Sequence, residues 1–574
     1  MYKNTRTCFK RKLKYMKLPV GIDDFKELID GNYLLADKSL FIKDVIKDSA
    51  KVILLTRPRR FGKTLNLSML YYFLRQNHDG GENLFKDLNI SKDVEFCSKH
   101  QQQYPVIFIT FKDIKQPTYD KSYARIEELI RKLYAEHRYL LEGDVLAQDE
   151  KNFFMDLLNK KAQESDIEAA IENLSAYIHR KFDKPPIILI DEYDTPIQEA
   201  YVKDYYQDMI DLMRSIFGRA LKGNLSLKKA VITGITRISQ ESLFSGVNNL
   251  EVYSLLREDY GQYFGFTESE VSQLLTQTEA NVTLASIKEW YNGYQVGKHV
   301  LYNPWSIISC LKNHGKLQPY WINTASNEPI AKLLKNTKAS TKRQFEELLQ
   351  GKTIERPISE NLVFADIENR EAALWSLLLY AGYLKVISSE LHGFELIAEL
   401  AIPNKEVGFV YDRIIAGWFD FVISRDSYMS FVRSLIKVDV HAFKRYLSDY
   451  IMQRGSYFDF NTNTAEQVFH VFILGLVVGL RDYYYIRSNQ ESGLGRFDVI
   501  FIPKKNQKRG ILLELKTCAT ADLLSDKAQE ALDQIKDKKY ISTFKQNNVE
   551  TVSAIGLAFC GKQLELIHEK INIT

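Results

Sequence analysis

Residues 52–64 read Val-Ile-Leu-Leu-Thr-Arg-Pro-Arg-Arg-Phe-Gly-Lys-Thr, a short apolar run that ends in Gly62-Lys63-Thr64. A helix-like pattern follows over 65–73. Strand, turn, helix is the order a phosphate-binding loop requires. The turn aims backbone N–H groups at an anion, and the helix N-terminus adds a favourable dipole. In such a loop Lys63 reaches the β- and γ-phosphates, and Thr64 holds Mg²⁺ through its hydroxyl. The match to G-x-x-x-x-G-K-[ST] is incomplete, because Arg57 stands where the first glycine is expected. Glycine is favoured there for positive φ and close backbone approach. The candidate anion site is Arg57, Arg60, Gly62, Lys63 and Thr64. On this stretch alone, a basic turn before an ordinary helix reads equally well.

A second stretch, Pro186-Ile187-Ile188-Leu189-Ile190-Asp191-Glu192-Tyr193-Asp194, is another buried-strand pattern, and it ends in acids. A nucleoside-triphosphate site needs an acid at a strand end to hold Mg²⁺ beside the loop. Asp191 fits that place, and Glu192 fits a general base that takes a proton from water. Alone this could be an acidic strand cap. Both motifs on the tips of apolar strands, in this order, favour nucleotide binding.

The 574 residues suffice for about three or four domains. With 45% hydrophobic residues and 12% aromatics, packed cores are expected and long disorder is not. A net charge of +4 does not demand nucleic acid, so a basic surface must be local. Cys8, Cys97, Cys310, Cys518 and Cys560 are odd in number and scattered, which argues for a reducing cytoplasm over a disulfide framework or zinc site. The longest apolar run, 468–480, holds His470 and is too short to span a bilayer, so no membrane partner is expected. The first 15 residues are basic and lack a signal-peptide core. They read as an extension ahead of a start at Met16, or as a nucleic-acid arm.

Residues 16–280 alternate strand and helix. Strands are expected over 51–56, 105–111, 186–190 and 229–235, and helices over 63–76, 121–139, 166–181 and 203–222. Alternation implies a parallel sheet covered on both faces, with ligands at the carboxyl ends of its strands. Thr236 and Arg237, past the fourth strand, could sense a γ-phosphate or form a plain turn. The turns at 290–294 and 302–305 carry aromatics that could stack a base, though core is their commoner fate. A helix over 371–384 and strands over 385–388 and 394–398 suit a winged helix. Residues 409–455 read as amphipathic connector helices.

From about 456 the pattern changes. Residues 464–470, with Glu466, open an apolar helix. Gly493-Leu494-Gly495-Arg496-Phe497-Asp498 leads into one strand, and Ile511-Leu512-Leu513-Glu514-Leu515-Lys516 forms the next. Period two puts Glu514 and Lys516 on one face, and a hairpin can bring Asp498 beside Glu514. Two carboxylates suit Mg²⁺ or Mn²⁺ with water positions left open. Lys516 can orient the attacking water and stabilise developing charge, and Glu466 can add a carboxylate. Together they describe metal-assisted phosphodiester hydrolysis. Spacing alone also fits a surface hairpin with one salt bridge.

Residues 18–25 (Leu-Pro-Val-Gly-Ile-Asp-Asp-Phe), 36–39 (Ala-Asp-Lys-Ser), 56–64, 190–196 (Ile-Asp-Glu-Tyr-Asp-Thr-Pro), 244–249 and 290–294 resemble the bacterial AAA-ATPase-like family. Residues 495–498 and 514–516 resemble the PD-(D/E)XK nuclease domain that commonly follows it. In that family Arg57 is the usual residue. The resemblance implies an α/β fold with a P-loop NTPase parallel sheet, a helical and winged-helix-like middle, and a C-terminal α/β restriction-endonuclease-like domain. The expected boundaries are 1–15 for the basic extension, 16–280 for the ATPase-like domain, 281–408 for lid and winged helix, 409–455 for the connector and 456–574 for the nuclease-like domain. The resemblance implies ATP and Mg²⁺ (or Mn²⁺) as cofactors, nucleic acid, DNA before RNA, as partner, and a role in defence or mobile-element biology. The ligands carried over are Lys63, Thr64 and Asp191 at the nucleotide, with Glu192 beside them, and Asp498, Glu514 and Lys516 at the nuclease centre. A homo-oligomer is compatible with it. The alternative is a nucleotide-switched protein that binds DNA or a partner through an inactive nuclease fold.

Overall fold

The computed structural model describes residues 17–76, 84–237, 243–244, 247, 249–321, 339–349, 351–360, 371–420, 425–454, 480, 483–492, 495–504, 508–518, 520–537, 544, 549–560 and 563–573. For 487–492 and 495–498 the description is of the backbone. The basic extension and the 464–470 helix with Glu466 lie outside the described residues. The chain divides into two compact units, residues 1–326 with 355–407, and residues 327–354 with 408–574.

The first unit is built on a parallel sheet of order β2-β3-β4-β1-β5. Its strands are β1 (Val52–Thr56), β2 (Val106–Thr110), β3 (Ile187–Asp191), β4 (Lys229–Gly234) and β5 (Leu250–Tyr253). β1, β3 and β4 are buried along their whole length, as unbroken apolar runs in a covered parallel sheet must be. The fifth strand escaped the sequence reading because it is four residues long at an edge and half-buried in its middle. The helix expected over 203–222 is Tyr206–Leu221, and a further helix, Thr195–Val202, with Pro196 in its first turn, precedes it. Asp204, at φ 63°, breaks the path between them.

Strand β4 separates β1 from β3, with Thr56 paired to Gly234 and Ile190 to Ile232. The carboxyl ends of β1, β4, β3 and β2 therefore stand in one row. The helix Lys63–Leu74 leaves β1 directly. Asp24 fixes its far side by accepting from Ser68 Oγ and Tyr72 OH, each at 3.1 Å. The unit continues through a hairpin, β6 (Tyr294–Val296) and β7 (His299–Leu301), then β8 (Ile354–Ile358). The helix Glu371–Tyr380 and the antiparallel pair β9 (Lys385–His392) and β10 (Glu395–Ala401) follow, the helix-then-hairpin order of a winged helix.

The second unit carries the helices Arg425–Lys437 and Val440–Arg454 and a sheet of order β11-β12-β13-β14-β15. Its strands are β11 (Tyr484–Ser492), β12 (Gly495–Pro503), β13 (Arg509–Thr517), β14 (Thr551–Cys560) and β15 (Gln563–Asn572). Only the β13–β14 pair is parallel, and the helix Leu524–Asp537 crosses between these two strands. Leu532 and Ile535 of that helix join Ile500, Leu512, Val552 and Ala554 of the sheet in one core.

Candidate nucleotide and nuclease sites

The loop at residues 57–62 owes its shape to side chains as well as to glycine. Its left-handed residues are Arg60, at φ 67°, and Gly62, at φ 82°, so position 57 needs no positive φ and tolerates an arginine. The Arg57 backbone N–H donates to Gly234 O at 3.0 Å. Its guanidinium turns inward and donates to the carbonyls of Thr56 (2.8 Å), Tyr253 (2.7 Å), Ser254 (3.3 Å) and Asp259 (3.2 Å). It also lies 5.2 Å from the centre of the Phe264 ring. Burial pushes its pKa down to about 9. Arg57 thus ties the loop to the end of β5, and its side chain points away from the anion site.

Arg60 is exposed and stacks on Trp305 at 4.5 Å, and Phe61 packs edge-on against Tyr294 at 4.9 Å. Tyr291, Tyr294 and Tyr302 are buried, so the aromatic turns form core and loop supports.

Lys63 sits inside the loop. Its Nζ donates to Arg57 O (3.1 Å) and Pro58 O (3.0 Å), which uses two of three ammonium N–H groups. Burial lowers its pKa, while Glu192, Asp191 and Asp194 raise it. The first helical hydrogen bond runs from Asn66 N–H to Gly62 O. That leaves the N–H groups of 63–65 directed out of the helix end, as an anion site requires.

Asp191 is fully buried. Its Oδ2 accepts from Thr64 Oγ1 at 2.8 Å and its Oδ1 from Thr233 Oγ1 at 2.7 Å, with Thr110 Oγ1 3.5 Å away. Burial raises its pKa. A hydroxyl and a carboxylate oxygen in contact at the mouth of a phosphate loop are the hard-oxygen pair that Mg²⁺ takes, so these residues fit that ion. Glu192 follows at φ 50°, and its Oε2 accepts from Thr195 Oγ1 at 3.2 Å. A non-glycine residue in that backbone region is the kind of strain that gathers at working sites. Thr236 gives its N–H and Oγ1 to Asp194 Oδ2, and Arg237 lies 3.5 Å from Glu360. Sequence reading gave no role to Thr233, Thr110, Asp194 or Gln198. Thr110, Thr233 and Asp194 had a visible signal, being polar residues at or just past the ends of apolar strands, and Gln198 had none.

In the second unit, Val499 pairs with Leu513 across the antiparallel β12–β13 ladder. That pair is the last of the ladder on this side, and Asp498 and Glu514 are the next residue on each strand. The Asp498 side chain is outside the described residues. Glu514 is only 3% exposed and accepts from Gln534 Nε2. Lys516 Nζ donates to Gln534 Oε1 at 2.6 Å and lies 3.8 Å from Glu530. One amide on the helix Leu524–Asp537 therefore holds both the acid and the lysine. The all-oxygen pair Asp498 and Glu514 suits a hard divalent cation. Among the described residues, no cluster of three or more His, Cys, Asp or Glu converges as a metal site. No described helix is long and apolar enough to cross a membrane.

The family model for predicted AAA-ATPases matches residues 19–244, and that for the PD-(D/E)XK nuclease superfamily matches 464–569. An uncharacterized protein in the vnfD 5′ region of Azotobacter chroococcum mcd 1 is 25% identical over 402 residues, 68% of each chain. The Walker-type ATPase PABY2304 of Pyrococcus abyssi aligns over 65% of this chain and 94% of its own, at 14% identity and a TM-score of 0.34. Residues 19–244 thus form an AAA-ATPase-like region, and residues 464–569 match the PD-(D/E)XK nuclease superfamily.

Proposed function

We propose that this protein binds and hydrolyses ATP in its first domain and cuts nucleic acid, DNA before RNA, with its last. The observation that carries the reading is the 2.8 Å contact between Thr64, in the first turn of the helix that follows β1, and Asp191, at the end of β3, with β4 lying between the two strands. Thr64 and Asp191 would hold Mg²⁺ beneath a triphosphate, and Asp498 and Glu514 would hold Mg²⁺ or Mn²⁺ beside a phosphodiester. The ion supplies charge neutralisation at the phosphates in both places. Lys63 gives its remaining N–H to a phosphate oxygen, and the N–H groups of 63–65 line the same anion. Glu192 orients and deprotonates the attacking water. At the other centre Lys516 stabilises charge on the scissile phosphate once it leaves Gln534. The domains divide at 280, 408 and 455, the work is cytoplasmic, and its setting is defence or mobile-element biology, as the resemblance implies.

Phosphate release from ATP by the purified full chain tests the first half. Lys63→Ala is expected to cut ATP affinity or turnover at least about tenfold, and Asp191→Asn to lower turnover. Unchanged hydrolysis in both variants removes the assignment.

A further inference from the structure

Arg59 and Asp194 stand at the nucleotide site without a part in the reading above. They are joined through one side chain. Arg59 Nη2 donates to Gln198 Oε1 at 3.3 Å, and Gln198 Nε2 donates to Asp194 Oδ2 at 2.7 Å. The same Oδ2 accepts from Ile235 N–H (2.9 Å), Thr236 N–H (2.9 Å) and Thr236 Oγ1 (3.0 Å). Four donors thus converge on one oxygen of a carboxylate that is 1% exposed, while its Oδ1 is buried with no hydrogen-bond partner. A continuous polar path runs from the phosphate loop, through the helix Thr195–Val202, to the residues just past β4. Its longest link is the one at Arg59, the half-buried end that lies in the loop. Arg59 and Lys63 stand four residues apart at the one phosphate loop, and the positive charge of Arg59 acts to lower the pKa of Lys63.

We infer that Arg59 is a phosphate-contacting cation that Gln198 holds in waiting, and that Gln198 and Asp194 are positioning residues that report its departure to Ile235 and Thr236. This rests on the ATP-binding reading above. A guanidinium prefers a phosphate, with two charge-assisted hydrogen bonds, to a single long bond from an amide oxygen. When a γ-phosphate draws Arg59 away, Gln198 loses its donor and its side chain can turn. Asp194 then holds the end of β4 with one donor fewer.

The test is equilibrium binding of ATP and of ADP, with steady-state kcat and KM, on the full chain and its Lys63→Ala, Arg59→Ala, Gln198→Ala, Gln198→Glu and Arg59→Ala/Gln198→Ala variants. Arg59→Ala is expected to weaken ATP about tenfold and ADP less than about twofold. Gln198→Ala, a good helix former at a half-exposed position, is expected to leave both affinities within about twofold and to lower kcat severalfold. The double variant is expected to turn over no more slowly than Arg59→Ala alone, since the two act in series. Gln198→Glu holds Arg59 with a charge, so it is expected to weaken ATP more than ADP. Equal losses for ATP and ADP, an unchanged kcat in Gln198→Ala, or additive effects in the double variant would overturn the relay. Wild-type nucleotide binding by Lys63→Ala would instead remove the nucleotide site itself.

Discussion

Glu406 is a buried carboxylate with three donors on it: Ser306 Oγ at 2.7 Å, Tyr320 N–H at 2.6 Å and Trp321 N–H at 2.7 Å. Burial outweighs those donors and pushes its pKa from 4.5 up to about 7. The folded chain therefore holds this proton more tightly than the unfolded one. The stability it contributes is complete below about 4.5 and is lost as pH rises through about 7. Glu406→Gln keeps an acceptor for both N–H groups and lacks the titration. Thermal unfolding is expected to show the variant gaining on the wild type between these limits, by at most about 1.4 kcal/mol per pH unit. A constant difference from pH 4.5 to 7 would put the titration elsewhere. Gly234 marks a different constraint. A Cβ there would lie 2.5 Å from the Tyr193 ring and 2.8 Å from Asp194 Oδ1. Gly234→Ala is expected to lower stability by about 1–3 kcal/mol, read as a drop in melting temperature. Sequence gives Lys63, Thr64 and Asp191 their places because each follows an apolar strand within a few residues. It does not give the inward turn of Arg57, whose acceptors lie about 200 residues away in Tyr253 and Asp259.

At the scale of elements, the close seat of one helix decides the C-terminal centre. Glu514 pairs in register with Gly556 on β14. A Cβ on Gly556 would lie 2.2 Å from Ala528 O and 2.7 Å from Leu532 N. The missing side chain lets the helix Leu524–Asp537 settle onto the sheet, which brings Gln534 within reach of Glu514 and Lys516. Gln534→Ala is expected to slow nucleic-acid cleavage about tenfold or more while the fold persists, because it releases both groups at once. Cleavage at the wild-type rate would make Gln534 a bystander. The pairing of β12 with β13 was legible, since a short polar stretch of sequence separates two apolar runs. The place of Gln534 was not, because helix-to-strand packing is a non-local contact that spacing along the chain does not encode. In the same way, strand-helix alternation predicts a parallel sheet but leaves the order of its strands open. The insertion of β4 between β1 and β3 is what brings Thr233 and Gly234 into the site.

For the whole molecule, each of the two compact units carries one of the two proposed acidic centres, Asp191 in the first and Glu514 in the second. If ATP governs cutting, disabling the P-loop must be felt at the nuclease centre, and disabling the nuclease must leave ATP hydrolysis intact. Composition could not reveal this, since a net charge of +4 spread over 574 residues describes neither site. The most direct measurement is cleavage of single- and double-stranded DNA and of RNA by the purified chain with ATP and Mg²⁺, alongside Glu514→Ala and Lys63→Ala. The wild type is expected to cut, Glu514→Ala to hydrolyse ATP without cutting, and Lys63→Ala to lose both activities. Cleavage that persists in Glu514→Ala, or salt-sensitive binding with no cleavage by the wild type in either Mg²⁺ or Mn²⁺, would contradict this expectation.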